Sequence, residues 1–273
     1  MKLFYFLPLV AFVFSCSESI TTQSNANSTA TQVDSILLNE TDPIVENESP
    51  INFEFPSLDS LLISASLYEI DPNAETILLC HQAGYNRHEY DEIAPKLNDL
   101  GFNCITIDQR SGGIVFDIMN ETTDRAITIE LPVDYLDAEQ DIIAAIDYSF
   151  EKYGKKIILW GSSYSSALAL QIGANSTKLK AVVSFSPGDY FGDKKPLLSE
   201  IMPSFPLPFF ITSSKSEAKE ISLFLNGMDT DNKHIQFSPT AQGKHGSRAL
   251  WENHDGNKEY WNAITTFLKQ FLS

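Results

Sequence analysis

The sequence predicts an α/β fold in which a mostly parallel sheet of about eight strands carries helices on both faces. Short apolar runs alternate with segments of helical spacing from Ile51 onward. Some of these runs, such as residues 76–80, are apolar almost throughout, which is typical of strands buried on both faces. The chain has 273 residues, 43% of them hydrophobic, which is enough for one globular core.

The first half of the domain is predicted to contain four strands and one helix. Residues 51–55 and 61–68 are the first two strands, and the polar pair Asp59 and Ser60 forms the turn between them. Residues 76–80 form the third strand. Residues 88–100 carry apolar side chains at helical spacing, and Gly101 ends this helix before a fourth strand at 102–107.

The second half continues the same alternation. The predicted strands are residues 157–160, 181–185, 209–212 and 235–237. The predicted helices are residues 135–153, a helix that follows the turn at 161–165, and residues 217–228 and 260–272. Strands separated by helices need crossover connections, which are right-handed and give a parallel sheet. Functional sites in such sheets lie at the carboxyl ends of the strands.

A turn of small and polar residues, 161–165, joins a predicted strand to a predicted helix. The pattern small-x-Ser-x-small at this place is that of a nucleophile elbow, in which a sharp turn exposes a serine hydroxyl. The residues two before and two after the nucleophile lie close to other backbone and must be small. Gly161 and Ser165 meet this condition around Ser163. Around Ser162 the corresponding positions hold a tryptophan and a tyrosine, which are too large. Ser163 is the predicted nucleophile, and the alternative is a serine that only caps the helix.

The loop after the third strand, residues 81–85, is the candidate oxyanion loop. A backbone N–H here can point at a developing oxyanion, with the N–H of Tyr164 as the second donor. Ala83 is the preferred loop donor and Gln82 the alternative. His81 is expected to order the loop rather than to act as a base, because it precedes the nucleophile in the chain. A plain strand–helix turn is the competing interpretation.

Two further loops after strands supply an acid and a base. Glu217 follows strand 209–212 and is the candidate for the carboxylate that orients a histidine, and Asp189 is the alternative. Of the five histidines, His245 alone stands in the loop directly after the last strand, with glycines close on both sides of it, whereas His254 lies beside the last helix. The chain order is then serine, acid and histidine. The competing interpretation makes the acid and the histidine ordinary surface residues.

Charge and composition exclude several function classes. The chain has 19 basic and 36 acidic side chains, a net charge of -17, and an acidic surface repels nucleic acid and gives no polybasic membrane patch. The histidines are too scattered for a zinc site, and no glycine-rich phosphate loop occurs. We therefore expect no metal or organic cofactor. Cys80 and Cys104 lie in apolar strands and are interpreted as buried small hydrophobic residues, with a disulfide left open.

The N-terminus is expected to direct export. Residues 1–15 have a short charged start and an apolar stretch too short to span a bilayer, as in a signal peptide. Residues 13–16 resemble the bacterial lipobox, which implies lipid attachment to Cys16 and anchoring in the cell envelope, at the periplasmic or surface side of the outer membrane. An ordinary secretory signal with a chance cysteine is the alternative. Residues 16–50 have the polar composition of a flexible linker, and the domain is expected at 51–273.

From about residue 53 to residue 271 the chain resembles the small, nearly lidless α/β-hydrolases of the dienelactone-hydrolase-like kind. The segments that carry the resemblance are residues 81–84, 108–113, 161–165 and 243–246. The family often has glycine where Gln82 and Ser165 stand, and aspartate where Glu217 stands. Dienelactone hydrolases proper use a cysteine nucleophile, so Ser163 places the chain with the serine esterases.

The resemblance implies an exported hydrolase that cleaves a small-molecule carboxylic ester through an acyl-enzyme. A serine peptidase of the same fold is the alternative enzyme, and a non-catalytic binding lipoprotein is the alternative from another class. We expect a monomer with no nucleic-acid partner. Residues 112–132 are expected either to line the pocket entrance or to form only a surface loop.

Overall fold

The computed structural model describes residues 49–225, 228 and 231–272. The predicted signal peptide, the predicted lipidation site Cys16 and the predicted linker up to residue 48 lie outside the described residues. Within the described part of the chain, no helix is both long enough and apolar enough to cross a bilayer.

Eight strands form one sheet, in the order β1-β2-β4-β3-β7-β8-β9-β10. They are β1 Ile51–Pro56, β2 Leu62–Tyr68, β3 Glu75–Cys80, β4 Phe102–Ile107, β7 Ile157–Ser162, β8 Leu179–Phe185, β9 Phe209–Thr212 and β10 His234–Phe237. A separate hairpin consists of β5 Ile114–Val115 and β6 Ile118–Met119. Strand β2 pairs antiparallel with β1 and β4, and the other pairs of the large sheet are parallel. The predicted mostly parallel sheet is confirmed.

Seven α-helices are found in the described residues. They are α1 Ala94–Asp99, α2 Glu121–Thr128, α3 Glu139–Tyr153, α4 Tyr164–Gly173, α5 Leu198–Ile201, α6 Ala218–Phe224 and α7 Asn257–Leu268. Helices α3 and α4 pack on one face of the sheet through side chains such as Ile142 and Leu168. Helices α1 and α7 pack on the other face through side chains such as Leu97 and Phe267. The helices therefore cover both faces, as the sequence predicts.

The helix predicted at 88–100 is divided in the structure. A 3₁₀ turn, Arg87–Tyr90, comes first, and the Asn86 side chain caps it by accepting a hydrogen bond from the His88 N–H at 3.0 Å. Helix α1 then begins with Pro95 in its first turn. Because Pro95 has no N–H to donate, one continuous helix through this point would lose a backbone hydrogen bond.

Residues 112–132, for which the sequence predicts no regular element, contain the β5–β6 hairpin and helix α2. The Asn120 side chain caps α2 by accepting from the Thr123 N–H at 2.7 Å. The Thr122 hydroxyl then accepts from the Ser64 N–H of β2 at 2.9 Å, which attaches α2 to the sheet.

Both described cysteines are buried and unpaired. Cys80 lies at the end of β3 opposite Ile107 of β4, whereas Cys104 of β4 lies opposite Ile77. The two thiols are therefore offset along neighbouring strands, and the interpretation as buried small residues holds.

Candidate active site

Among the serines at the turn between β7 and α4, Ser163 alone keeps some exposure, 8% against 0% for Ser162, Ser165 and Ser166. Ser163 separates the last residue of β7 from the first residue of α4, with φ 59° and ψ -124°. A side chain at position 161 would place its Cβ 2.4 Å from the Ser165 carbonyl oxygen, so Gly161 is required there. The strained backbone at Ser163 and the tight approach at Gly161 are the geometry of a nucleophile elbow.

The structure brings Ser163, His245 and Glu217 into one hydrogen-bonded chain. Ser163 Oγ lies 2.8 Å from His245 Nε2, and His245 Nδ1 lies 2.5 Å from Glu217 Oε1. The three residues come from loops that follow β7, β10 and β9, so the carboxyl ends of three parallel strands meet here. The arrangement can move a proton from a serine hydroxyl to an imidazole that a carboxylate holds in place.

Glu217 is held as a carboxylate. Its Oε2 accepts hydrogen bonds from the Ser214 N–H at 3.0 Å, the Ser214 hydroxyl at 2.7 Å and the Ser186 hydroxyl at 3.0 Å. Burial acts to raise the pKa of Glu217, but the hydrogen bonds from His245 and Ser214 outweigh it and lower the pKa to about 2. The group is therefore ionised at neutral pH and can stabilise a histidine cation.

Asp189, the alternative acid, has a different contact. Its Oδ1 accepts a hydrogen bond of 2.7 Å from the Leu198 N–H, at the start of α5. The carboxylate in contact with His245 is that of Glu217.

Ser186, which sequence reasoning did not single out, joins the acid loop to the histidine loop. Its hydroxyl donates to Glu217 at 3.0 Å and accepts from the Gly246 N–H at 3.0 Å. Ser186 directly follows the last residue of β8 and has a positive φ of 57°. The sequence carries no local signal for this role, because the role depends on the approach of two distant loops.

Of the two candidate donors in the oxyanion loop, Gln82 and Ala83, one is free among the described residues. The Gln82 N–H donates to Glu89 Oε2 at 2.8 Å, so the alternative donor is already engaged. The Ala83 N–H has no acceptor among the residues that the structure describes. The Tyr164 N–H belongs to the first residue of α4 and has no partner within its own helix. Ala83 and Tyr164 are thus the donors that remain available.

His81 lies beneath this loop and is fully buried. Its Nδ1 is 2.8 Å from the Gln82 carbonyl oxygen, and its Nε2 is 3.0 Å from Asn120 Nδ2. These contacts need a proton on Nδ1 and a free lone pair on Nε2, and burial lowers the pKa of His81. The ring is therefore neutral and orders the loop, as expected from its position in the chain.

A cavity of about 280 Å³ lies beside the nucleophile. Two contacts place it there. The Tyr135 ring stacks on the Tyr164 ring with 4.6 Å between centroids. The Tyr190 hydroxyl, close to Ser163, donates to the Ser186 carbonyl oxygen at 3.0 Å, and burial raises its pKa. The lining residues are mainly aromatic or aliphatic, with polar groups among them: Ser111, Val133, Asp134, Tyr135, Leu136, Tyr190, Phe191 and Lys194.

Residues 112–132 do not line this cavity, although Ser111 and Val133 on either side of them do. The hairpin within this stretch instead lies against the oxyanion loop. The Gly113 N–H donates to the Tyr85 carbonyl at 2.9 Å, and the Phe116 ring lies 5.5 Å from the Trp251 ring. The hairpin therefore supports the oxyanion loop, and residues 112–132 do not line this cavity.

No group of three histidine, cysteine or acidic side chains that could hold a metal ion occurs among residues 49–225, 228 and 231–272.

Comparison with known proteins gives a similarity of structure only. No protein-family model matches the chain, and no curated protein matches it in sequence. An esterase of Pyrococcus furiosus is similar in structure, with a TM-score of 0.61 and 16% identity over 81% of this chain and 92% of that chain. A dienelactone hydrolase of Anabaena variabilis has a TM-score of 0.60 and 15% identity over 82% of this chain and 99% of that chain.

An acylaminoacyl peptidase of Pyrococcus horikoshii is also similar, with a TM-score of 0.59 and 15% identity over 82% of this chain and 42% of that chain. At these identities the likeness concerns the fold. The chain has the α/β-hydrolase fold, and the predicted fold class is confirmed.

Proposed function

We propose that the chain is a serine hydrolase that cleaves a carboxylic ester through an acyl-enzyme. The observation that carries the proposal is the continuous contact from Ser163 Oγ to His245 at 2.8 Å and from His245 to Glu217 at 2.5 Å. Nucleophile and base lie within hydrogen-bond reach, and a third group orients the base.

The reaction begins when His245 Nε2 takes the proton of the Ser163 hydroxyl. The Oγ forms a bond to the acyl carbon, and the carbonyl oxygen becomes an oxyanion that the Ala83 and Tyr164 N–H groups stabilise. Glu217 stabilises the imidazolium but takes no proton. The tetrahedral intermediate then collapses, the bond to the alcohol oxygen breaks, and His245 gives its proton to the leaving alcohol.

The second half of the reaction releases the acid. Water loses a proton to His245 Nε2 and attacks the acyl carbon of the Ser163 ester. The bond between the acyl carbon and Ser163 Oγ breaks, and the proton returns from His245 to Ser163. The products are a carboxylic acid and an alcohol, and the enzyme is unchanged.

Two observations support an ester over a peptide as substrate, and a third supports catalysis over binding alone. The similar esterase and dienelactone hydrolase are matched over 92% and 99% of their chains, whereas the similar peptidase is matched over 42%. The cavity beside Ser163 has about 280 Å³, at the low end for a ligand pocket, which suits a small acyl group better than a peptide. A binding protein without catalysis would not need the strained backbone at Ser163.

The proposal includes export and anchoring by a lipid on Cys16, with residues 17–50 as a tether. This part is supported by the apolar N-terminal stretch and by the lipobox-like residues 13–16. In this proposal the protein acts as a monomer on small-molecule esters at the bacterial cell envelope.

The decisive experiment compares wild type with Ser163→Ala on a series of chromogenic esters and on a fluorophosphonate label. We expect the variant to lose both hydrolysis and labelling, while Ser149→Ala, which removes a buried hydroxyl bonded only to Ala145 of its own helix, keeps both. Hydrolysis retained by Ser163→Ala would rule out the mechanism. Labelling of wild type without hydrolysis of any ester would favour the peptidase, and N-acylated peptides would then be the substrates to test.

A further inference from the structure

Glu89 is a buried glutamate in the 3₁₀ turn Arg87–Tyr90, and the proposed mechanism does not use it. Its exposed fraction is 0%, and its hydrogen-bond partners among the described residues are all neutral groups. A buried carboxylate without a cationic partner is costly for a fold. Such a group calls for an explanation from its contacts.

The carboxylate of Glu89 binds two of the proposed catalytic loops. Its Oε2 accepts from the Gln82 N–H at 2.8 Å, and its Oε1 accepts from the Ser162 hydroxyl at 2.7 Å and from Gln82 Nε2 at 3.3 Å. Gln82 directly precedes the oxyanion donor Ala83, and Ser162 directly precedes Ser163. One side chain therefore fixes the neighbour of the oxyanion donor and the neighbour of the nucleophile.

The Ser162 hydroxyl extends this connection to the third loop. While it donates to Glu89, it accepts from the Ser247 N–H at 2.8 Å, two residues after His245. The intervening Gly246 is packed so closely that a Cβ there would lie 2.5 Å from Ser162 Oγ. Because Ser247 supplies a backbone N–H, the Ser162 hydroxyl proton has to be directed to the carboxylate.

From these contacts we infer that Glu89 is a positioning residue that holds the oxyanion loop, the nucleophile turn and the histidine loop in register through Gln82 and Ser162. The inference rests on the proposed function, because it assigns Glu89 a part in the proposed reaction at Ser163. Glu89 acts only through its neighbours and does not touch the reacting atoms.

The network needs the ionised form of Glu89. The Glu89 carboxylate is the acceptor in all three of its hydrogen bonds. If Oε1 carried a proton, that proton would point at the Ser162 hydroxyl, and the Ser162 hydroxyl proton would lose its acceptor. Burial raises the pKa of Glu89 to about 7, and the charges of Arg248 and His245 act in the opposite direction. Tyr90 of the same turn also faces Glu89, and burial together with that carboxylate raises its pKa, so it stays neutral. Glu89 should therefore gain its working charge as pH rises through about 7.

The test uses the full chain and the rate at which a fluorophosphonate labels Ser163, measured from acidic to alkaline pH. We expect Glu89→Gln to label about 10- to 100-fold more slowly than wild type, as a displaced reacting group would. The ester kcat should fall by a similar factor while KM changes little. The ratio of the wild-type rate to the Glu89→Gln rate should increase as pH rises through about 7, because Glu89 gains its charge there whereas glutamine stays neutral.

Glu92→Gln is the matched control, because Glu92 is an exposed glutamate three residues away whose carboxylate accepts from the Glu252 N–H. It should label at the wild-type rate with the wild-type pH profile. If wild type itself does not label, the proposed function fails. If wild type labels and Glu89→Gln labels at the same rate with the same profile, the inference about Glu89 is overturned.

Ser162→Ala provides a second variant in case Glu89→Gln does not fold. It breaks the contact with Ser247 and leaves the contact between Glu89 and the Gln82 N–H in place. We expect slower labelling than in Ser149→Ala, a buried serine variant whose lost hydroxyl donates to Ala145 within α3. Equal labelling rates in these two serine variants would also overturn the inference.

Discussion

The Ser165 hydroxyl lies 2.8 Å from the carbonyl oxygen of Cys80, so the second residue of α4 is attached to the end of β3. The same hydroxyl accepts from the Ser162 N–H at 2.9 Å and lies 2.9 Å from the Ser162 carbonyl. A glycine would fit the space at this position, but it could not form a side-chain hydrogen bond with any of these backbone groups. The departure from glycine at the elbow therefore adds contacts between the nucleophile turn and the neighbouring strand.

Ser165→Ala should destabilise the protein. The change leaves the Ser162 N–H buried without its acceptor, which typically costs about 1–3 kcal/mol of the free energy of unfolding. Urea denaturation monitored by circular dichroism measures this, with Ser222→Ala as an exposed control. A variant as stable as wild type would show that the hydroxyl is not needed to hold the turn.

Glu217→Gln should reduce kcat on the best ester by roughly 100- to 10,000-fold, because an amide cannot stabilise the histidine cation and can favour the wrong tautomer. Asp189→Asn changes a carboxylate that contacts Leu198 rather than His245, and it should keep nearly the wild-type kcat. Steady-state kinetics of the two variants distinguish the acids. A large loss in Asp189→Asn together with a small loss in Glu217→Gln would reverse the assignment.

Glu89 should make the stability of the protein depend on pH in a predictable direction. The pKa of its carboxyl is raised from 4.5 to about 7, so the folded state binds the proton more tightly than the unfolded state. The free energy of unfolding should therefore fall as pH rises from about 5 to 8, by an amount of order 3 kcal/mol.

The comparison of wild type with Glu89→Gln isolates this contribution, because every other titrating group is present in both proteins. Chemical denaturation at several pH values should show the stability of the variant improving relative to wild type as pH rises. A difference between the two proteins that does not change with pH would contradict a raised pKa at Glu89.

Much of the fold could be predicted because it depends on local patterns. The strands β3, β4, β7 and β8 are apolar over most of their length, as burial on both faces requires, and each predicted strand overlaps an observed one. The hairpin β5–β6 was not predicted, since two-residue strands leave no periodic signal. The break between Tyr90 and α1 was also missed, although Pro95 was a usable signal for it.

The acyl group of the substrate should be short. The cavity beside Ser163 has about 280 Å³ and is lined mainly by aromatic and aliphatic side chains. We expect kcat/KM to be higher for acetate and butyrate esters than for dodecanoate esters of the same chromogenic alcohol. A preference for the longest chain would show that the acyl group binds elsewhere.

Tyr135→Ala tests the wall of the same cavity. Tyr135 is 42% exposed and stacks on Tyr164, so its removal should open the cavity with little loss of stability. The ratio of kcat/KM for octanoate over acetate should then increase relative to wild type. Leu223→Ala, an exposed change away from the cavity, serves as the control and should leave the ratio unchanged.

Cys16→Ser should abolish lipid attachment. Cells that express the wild-type chain should incorporate radiolabelled fatty acid into the protein, whereas cells that express the variant should not. Incorporation that persists in Cys16→Ser would refute the anchor. Cys80→Ser is the matched control, because Cys80 is buried in β3 and cannot accept a lipid in the folded protein.

The order of chemistry-bearing residues after strands predicts Ser163, Glu217 and His245 as the candidate triad, and the structure brings these three side chains into contact. Glu89 and Ser186 could not be selected in this way. Glu89 stands in a segment of helical spacing beside other charged side chains, such as Arg87 and Asp91, and only the approach of Gln82 and Ser162 reveals its burial. Their functions arise from contacts between distant segments.

The turn of the β5–β6 hairpin has a consequence for protein engineering. Its two central residues, Phe116 and Asp117, both have positive φ, at 51° and 60°, where asparagine and glycine are easier to accommodate. The contact of the Phe116 ring with the Trp251 ring offsets the backbone strain of this positive φ. Libraries that vary this pair can therefore reshape the surface beside the oxyanion loop while they leave Ser163 and its partners untouched, and some members should gain backbone stability as they lose the aromatic contact.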